Sequence, residues 1–247
     1  MKTAICAAML AACLFWTAGA ASAAEPSQTE KVQAALDAWL TARAAPEKVT
    51  GVAAYVSFGD TGPAIEAFSG KVGRERGDVP VDQDTLYHMG STSKSFTAAV
   101  ILKLEAAGKL SIDDRLGKWL PQYPAWKDAT IRQLLDMTSG IPTYSETEWM
   151  SRMWVNEPKR SLTFKELVAH AYPLPMKHGY FYSNTNYILA GMIAEKASGK
   201  SYRNLVHEMV IEPQGLYSTF YEPGKYPPAV IKRLSHGYFA NEACSDY

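Results

Sequence analysis

The chain has 247 residues, with 25 Lys and Arg against 25 Asp and Glu and 47% hydrophobic residues, which are ordinary globular proportions. A balanced charge supplies no long-range field for a phosphate backbone or an anionic bilayer, so neither nucleic acid nor a membrane surface is an expected partner. Only three cysteines occur, Cys6, Cys13 and Cys244, with no closely spaced Cys/His set, which excludes a disulfide scaffold and a zinc knuckle.

The first 23 residues read as an export signal: Lys2 gives a positive start, residues 3–20 are apolar or small, and Ala21-Ser22-Ala23 fits signal peptidase, with cleavage after Ala23. A membrane anchor is disfavoured because Thr, Gly and Ser dilute the run. A lipid anchor at Cys13 is disfavoured because Leu14, Phe15 and Trp16 continue the apolar run past it. The mature protein is expected to be periplasmic or secreted, with no membrane span. Cys244 is then its lone thiol, either free or paired outside this sequence.

Residues 30–44 carry an apolar stripe at Val32, Leu36 and Leu40 that ends before Pro46, which predicts an amphipathic helix. Residues 51–58 and 64–68 read as two strands around a Gly/Asp turn. From Ser91 the pattern is helical, with Phe96, Val100, Ile101 and Leu104 on one face and Gly108 at the left-handed cap position. Further helices are predicted at 130–137, 164–171, 185–198 with Gly199 as stop, and 201–211 before Pro213. The expected fold class is α+β, with a sheet that needs more strands than the sequence provides.

Ser91-Thr92-Ser93-Lys94 follows Gly90 at a helix start. At roughly 100° per residue, positions three apart share a face, so the Lys94 amine reaches the Ser91 hydroxyl. A serine needs a neighbour to take its proton, and a lysine does this only in its neutral form. Gly90 is read as removing a side chain beside the reacting carbon, and the helix N-terminus as offering backbone N–H groups to a forming oxyanion. S-x-x-K alone also describes a helix cap and a solvated lysine. Tyr182-Ser183-Asn184, in a turn before the next helix, adds a phenol that Lys94 would stabilise as phenolate and an amide able to hold Lys94 and a substrate amide. Taken singly, Tyr182 also fits a rim aromatic and Asn184 a helix cap.

The stretches DTLYHMGSTSKSFTAA (84–99), TIRQLLDMTSGIP (130–142) and YSNTNY (182–187) resemble the serine β-lactamase and penicillin-binding-protein superfamily, nearest its class C-like branch with D-alanyl-D-alanine carboxypeptidases and related esterases. The likeness runs in order from about Gly51 to Tyr221. It implies a β-lactamase/transpeptidase-like fold: an antiparallel sheet flanked by helices, with the helix and hairpin in residues 24–84 and a mainly helical part in 85–247. It implies Ser91 as acylated nucleophile, Lys94 as proton acceptor, Tyr182 as general base or acid, Asn184 as substrate-binding amide, and no cofactor or metal. The Ser91 backbone N–H would be one oxyanion donor.

One departure matters. The family's third motif ends in glycine and lies on a strand carrying the second oxyanion donor, but His236-Gly237-Tyr238 has its glycine in the middle. The expectation is that the family's C-terminal strands are missing, that the chain is truncated at Tyr247, and that this piece alone is unstable and nearly inactive.

Other signals carry less. Ser198-Gly199-Lys200-Ser201 resembles a phosphate-loop tail, but a helix precedes the glycine, so it reads as a C-cap. A G-x-S-x-G elbow is absent, and the five histidines, His88, His170, His178, His207 and His236, form no H-E-x-x-H pattern. Trp149, Met150, Met153 and Trp154 read as a packing stripe, with a lid over the cleft as the alternative. The expected function is a serine hydrolase acting through an acyl-enzyme on a small peptide, β-lactam or ester. A non-catalytic penicillin- or peptidoglycan-binding module is the rival.

Overall fold

A computed structural model describes residues 25–74, 79–158, 160–222 and 225–237. The export signal with its cleavage site, Cys6, Cys13, Cys244 and the C-terminal end at Tyr247 lie outside the described residues. The chain divides into two compact units, one holding residues up to Gln83 and the other Asp84–Gly237.

In the first unit, α1 (Gln28–Arg43) lies against a hairpin of β1 (Gly51–Val56) and β2 (Ile65–Gly70). The helix begins two residues before the predicted start at Glu30 because Ser27 and Glu30 form a capping box: Ser27 N–H donates to Glu30 Oε2 at 2.7 Å and Glu30 N–H to Ser27 Oγ at 3.3 Å. The strands are antiparallel, with Ala53 opposite Phe68 and Ala54 opposite Ala67. Phe68 turns its N–H and C=O away from β1, and the Gln33 amide takes both, at 3.4 and 2.9 Å. A side chain thus closes part of the β2 edge that would otherwise invite another strand. Among the described residues the sheet has these two strands only.

The second unit is helical: α2 (Ser93–Ala106), α3 (Leu116–Trp119), α4 (Ile131–Leu135), α5 (Glu148–Asn156), α6 (Phe164–Ala171), α7 (Asn184–Ser198), α8 (Tyr202–Val206) and α9 (Pro228–Arg233). Its centre is α7, against which α2, α4, α6 and α8 pack. Leu189, Ala190, Ile193 and Ala194 of α7 are fully buried, and small residues there let neighbouring helices approach. Helix α2 buries Thr97, Val100, Ile101 and Leu104, the i, i+3, i+4, i+7 stripe of an amphipathic helix. Gly108 and Gly199 adopt φ of 66° and 73°, the left-handed conformation that ends a helix.

Three further details differ from the sequence reading. Ser91 lies in a short 3₁₀ turn, Gly90–Thr92, and α2 starts after it. The predicted 201–211 helix is α8 followed by a π-helical turn, His207–Ile211. The 130–137 helix is shorter, because Thr130 is its N-cap and Met137 has φ of 65°. Met150 and Met153 are buried in a small core with Leu167, and Trp149 stacks on His170 at 3.6 Å, so packing accounts for that stripe, while Trp154 is exposed.

Candidate active site

The segment entering Ser91 is anchored at its start. Leu86 N–H donates to Arg233 O at 2.9 Å, Ser235 N–H donates to Leu86 O at 2.8 Å, and Arg233 Nε donates to Asp84 O at 2.8 Å. Gly90 then takes φ of 51°, and a Cβ built on it would meet nothing within 4 Å. The left-handed backbone is by itself a reason for glycine at this position. The turn that follows is 3₁₀, in which side chains three apart eclipse, and Lys94 Nζ donates to Ser91 Oγ at 3.1 Å. The Ser91 N–H sits at the N-terminal end of this turn, where helical geometry leaves early N–H groups without an internal acceptor.

Tyr182 and Asn184 arrive from the start of α7. Tyr182 Oη is 2.7 Å from Ser91 Oγ, and Lys94 Nζ lies 4.8 Å from the centre of the Tyr182 ring. Asn184 Oδ1 accepts from Lys94 Nζ at 2.6 Å. The four residues singled out in the sequence therefore stand together, although Ser91 and Tyr182 are 91 positions apart. Ser183, not Asn184, is the N-cap residue of α7, and the Asn184 side chain turns to Lys94 and Ser145, so the cap reading of Asn184 does not hold.

Electrostatics concentrate on the phenol. A hydrogen bond from Lys94, then the Ser91 contact, hold the Tyr182 phenol below its ordinary range, against a smaller opposing effect of burial. The neighbouring Tyr187 is pushed the other way, mainly by burial, and its hydroxyl donates to Leu135 O at 2.9 Å. The two neighbouring tyrosines are thus shifted in opposite directions.

A second layer, which the sequence reading did not identify, holds these groups. Residues 137–145 run alongside 177–187 and bond to them repeatedly. Gly140 O accepts Lys177 N–H at 2.7 Å, Met137 O accepts Phe181 N–H at 2.9 Å, and Thr143 Oγ1 accepts Asn184 N–H at 3.1 Å. Asn184 Nδ2 donates to Ser145 Oγ at 2.9 Å, and Ser139 Oγ donates to the buried Asn186 Oδ1 at 2.8 Å. The block 130–142, matched by resemblance alone, presents no reacting group; it is the platform for Tyr182 and Asn184. The signal available in the sequence was the run of small hydroxyl residues, Thr138, Ser139, Thr143 and Ser145, beside Gly140. Among the described residues no group of His, Cys, Asp or Glu is arranged to hold a metal, and no helix is long and apolar enough to cross a membrane.

The Beta-lactamase family profile matches residues 36–242. Penicillin-binding protein 4* of Bacillus subtilis is 34% identical over 165 residues, which cover 64% of this chain and 36% of that protein. The D-stereospecific amidohydrolase of a Streptomyces species superposes with TM-score 0.66 at 31% identity, over 77% of this chain and 55% of that one. The D-amino acid amidase of Ochrobactrum anthropi, complexed with D-phenylalanine, superposes with TM-score 0.73 at 26% identity, over 88% and 58%. The chain thus spans 36% to 58% of the length of these relatives. By family match, fold and ordered motifs together, the chain belongs to the β-lactamase family of serine hydrolases, within the serine β-lactamase and penicillin-binding-protein superfamily.

Proposed function

We propose that the protein is an exported acyl-enzyme hydrolase in which Ser91 is the nucleophile. The observation that carries this reading is the double contact on Ser91 Oγ, with Tyr182 Oη at 2.7 Å and Lys94 Nζ at 3.1 Å. A hydroxyl held at once by an acidified phenol and an amine has a proton acceptor in hydrogen-bond reach, which is the geometric requirement for an activated serine.

In the attacking step Tyr182 is the phenolate and Lys94 the cation that stabilises it. Ser91 passes its proton to Tyr182 Oη as Oγ bonds to the substrate carbonyl carbon. The carbonyl oxygen becomes negative and is met by the Ser91 N–H at the turn's positive end. Tyr182 then returns the proton to the departing amine or alkoxide, leaving an ester at Ser91. Water then attacks the ester carbonyl as the same phenolate takes its proton, and Tyr182 gives that proton to Ser91 Oγ as the C–Oγ bond breaks and the acid leaves. Asn184 holds Lys94 through Oδ1 and retains an amide hydrogen for a substrate carbonyl.

The substrate class proposed is a D-configured peptide or amino-acid amide, of the D-alanyl-D-alanine kind. The support is that both structural relatives above act on D-amino acid amides or are D-stereospecific by name, and that the sequence relative is a penicillin-binding protein. The complete polypeptide is expected to take label at Ser91 from a fluorophosphonate, which stays on as a phosphonate ester, and from a fluorescent penicillin, whose acyl group it then releases. Release tracks hydrolysis of a D-alanyl-D-alanine peptide in the same preparation. Penicilloyl label that forms and stays would make the protein a penicillin binder, and no label at Ser91 from either reagent would reject the reading.

A further inference from the structure

Met137 is one of two non-glycine residues with positive φ among the described residues, at 65°. Such a backbone is uncommon outside Gly, Asn and Asp and persists only where its surroundings fix it. Here they do: the Asp136 carboxylate accepts Thr138 N–H at 3.1 Å, and Gln133 O accepts the N–H groups of Thr138 and Ser139 at 3.0 and 3.1 Å. The result is that Met137 turns both its carbonyl and its side chain toward the start of α7.

Both are used. Met137 O accepts Phe181 N–H at 2.9 Å, and Met137 Sδ accepts Ser183 N–H at 3.4 Å and Asn186 Nδ2 at 3.7 Å. These donors belong to the residues on either side of Tyr182 and to a buried amide one turn further on. Met137 itself is 6% exposed, so water cannot replace the sulfur as acceptor. We propose that Met137 is a positioning residue for Tyr182: its carbonyl and its thioether clamp the flanking N–H groups and so fix where the phenol meets Ser91. The clamp rests on the reading of Tyr182 as the group that moves the Ser91 proton.

The sulfur is a weak but polarisable acceptor able to take two donors approaching from different directions. A leucine would fill similar space and leave both donors unmatched, whereas a glutamine would restore an acceptor on a side chain of similar length. Tyr182 faces Lys94, Ser91 and Tyr187, and its lowered ionisation depends on the first two staying in place. Loosening the clamp therefore lets the phenol drift back toward ordinary behaviour.

The test uses the complete polypeptide with ζ-carbon-labelled tyrosine, as wild type, M137L and M137Q, with Y182F alongside. M137L is expected to keep its circular dichroism and lose kcat about tenfold with KM within twofold, since small misplacements of a reacting group act on the chemical step. Its Tyr182 titration moves up, and M137Q restores both readouts to within about threefold of wild type. A folded M137L with unchanged Tyr182 titration and unchanged kcat overturns the clamp. Should M137L not fold, wild-type protein carrying ⁷⁷Se-selenomethionine decides instead: a scalar coupling from residue 137 to the Ser183 amide proton supports the clamp, and none overturns it. Failure of the underlying reading looks different, because Y182F would then acylate normally while the Met137 variants still moved the Tyr182 resonance.

Discussion

Tyr182 is 43% exposed, yet its phenol is the site group with a lowered ionisation, and the first cause is Lys94. A base that ionises early makes acylation climb with pH through that lowered value and level off above it. The same depression would add stability present above the unfolded value, about 10, and lost as pH falls through the folded one. Lys94→Met removes the cation, so the alkaline limb of the acylation rate should move up toward pH 10 while the rate at pH 7 falls on the order of 10³-fold. Stopped-flow acylation by a reporter β-lactam across pH measures both. A limb that stays where it was would detach Tyr182 from Lys94. The pair Ser91 and Lys94 was legible because three residues are nearly one turn. The contact with Tyr182 was suggested by composition and resemblance only, since nothing local in the sequence measures distance across 91 positions. Gly90 was legible as special, but its left-handed φ of 51° was not, because a sequence shows that a side chain is missing and not which backbone angle accompanies it.

The platform segment shows what an element without reactive groups contributes. Gly140 combines φ of 73° with a virtual Cβ only 2.5 Å from Lys177 O, so Gly140→Ala is strained in its backbone and in contact with another backbone at once. The expected loss is about 2 to 3 kcal/mol, read as a lower urea midpoint at unchanged slope. Ser145→Ala acts differently. It leaves Asn184 Nδ2 without its acceptor while Lys94 still holds Oδ1, so stability should drop by about 1 kcal/mol and the KM for an amide substrate should rise more than kcat falls. Equal falls in kcat and kcat/KM would place Ser145 in the reaction step instead. Helix positions were readable from periodicity and stops such as Gly199. The starts of α1, α4 and α6 depend on the capping boxes Ser27/Glu30, Thr130/Gln133 and Thr163/Glu166, local signals of the S/T-x-x-E/Q kind. The pairing of 137–145 with 177–187 is a nonlocal match of loops, for which no periodicity exists.

For the molecule as a whole, the site depends on one helix core. Helix α7 carries the half-buried Asn184 at its N-terminal end and Leu189 and Ile193 at its buried centre, so the packing that stabilises the second unit also sets the distance from Tyr182 to Ser91. Leu189 is fully buried, and Leu189→Ala should cost about 2 to 5 kcal/mol in chemical unfolding, with acylation falling alongside. The α+β class and the order of the motifs were legible along the chain. The two strands of the described sheet, β1 and β2, are the two that were read from the sequence. The most direct test of the account is the rate at which a β-lactam adds mass to Ser91 in wild-type and Y182F polypeptide, followed by intact mass and peptide mapping. An adduct on Ser91 is expected to form at least about 100-fold more slowly in Y182F; an adduct on another residue, or one on Ser91 at an unchanged rate, would contradict Tyr182 as the group that takes the Ser91 proton.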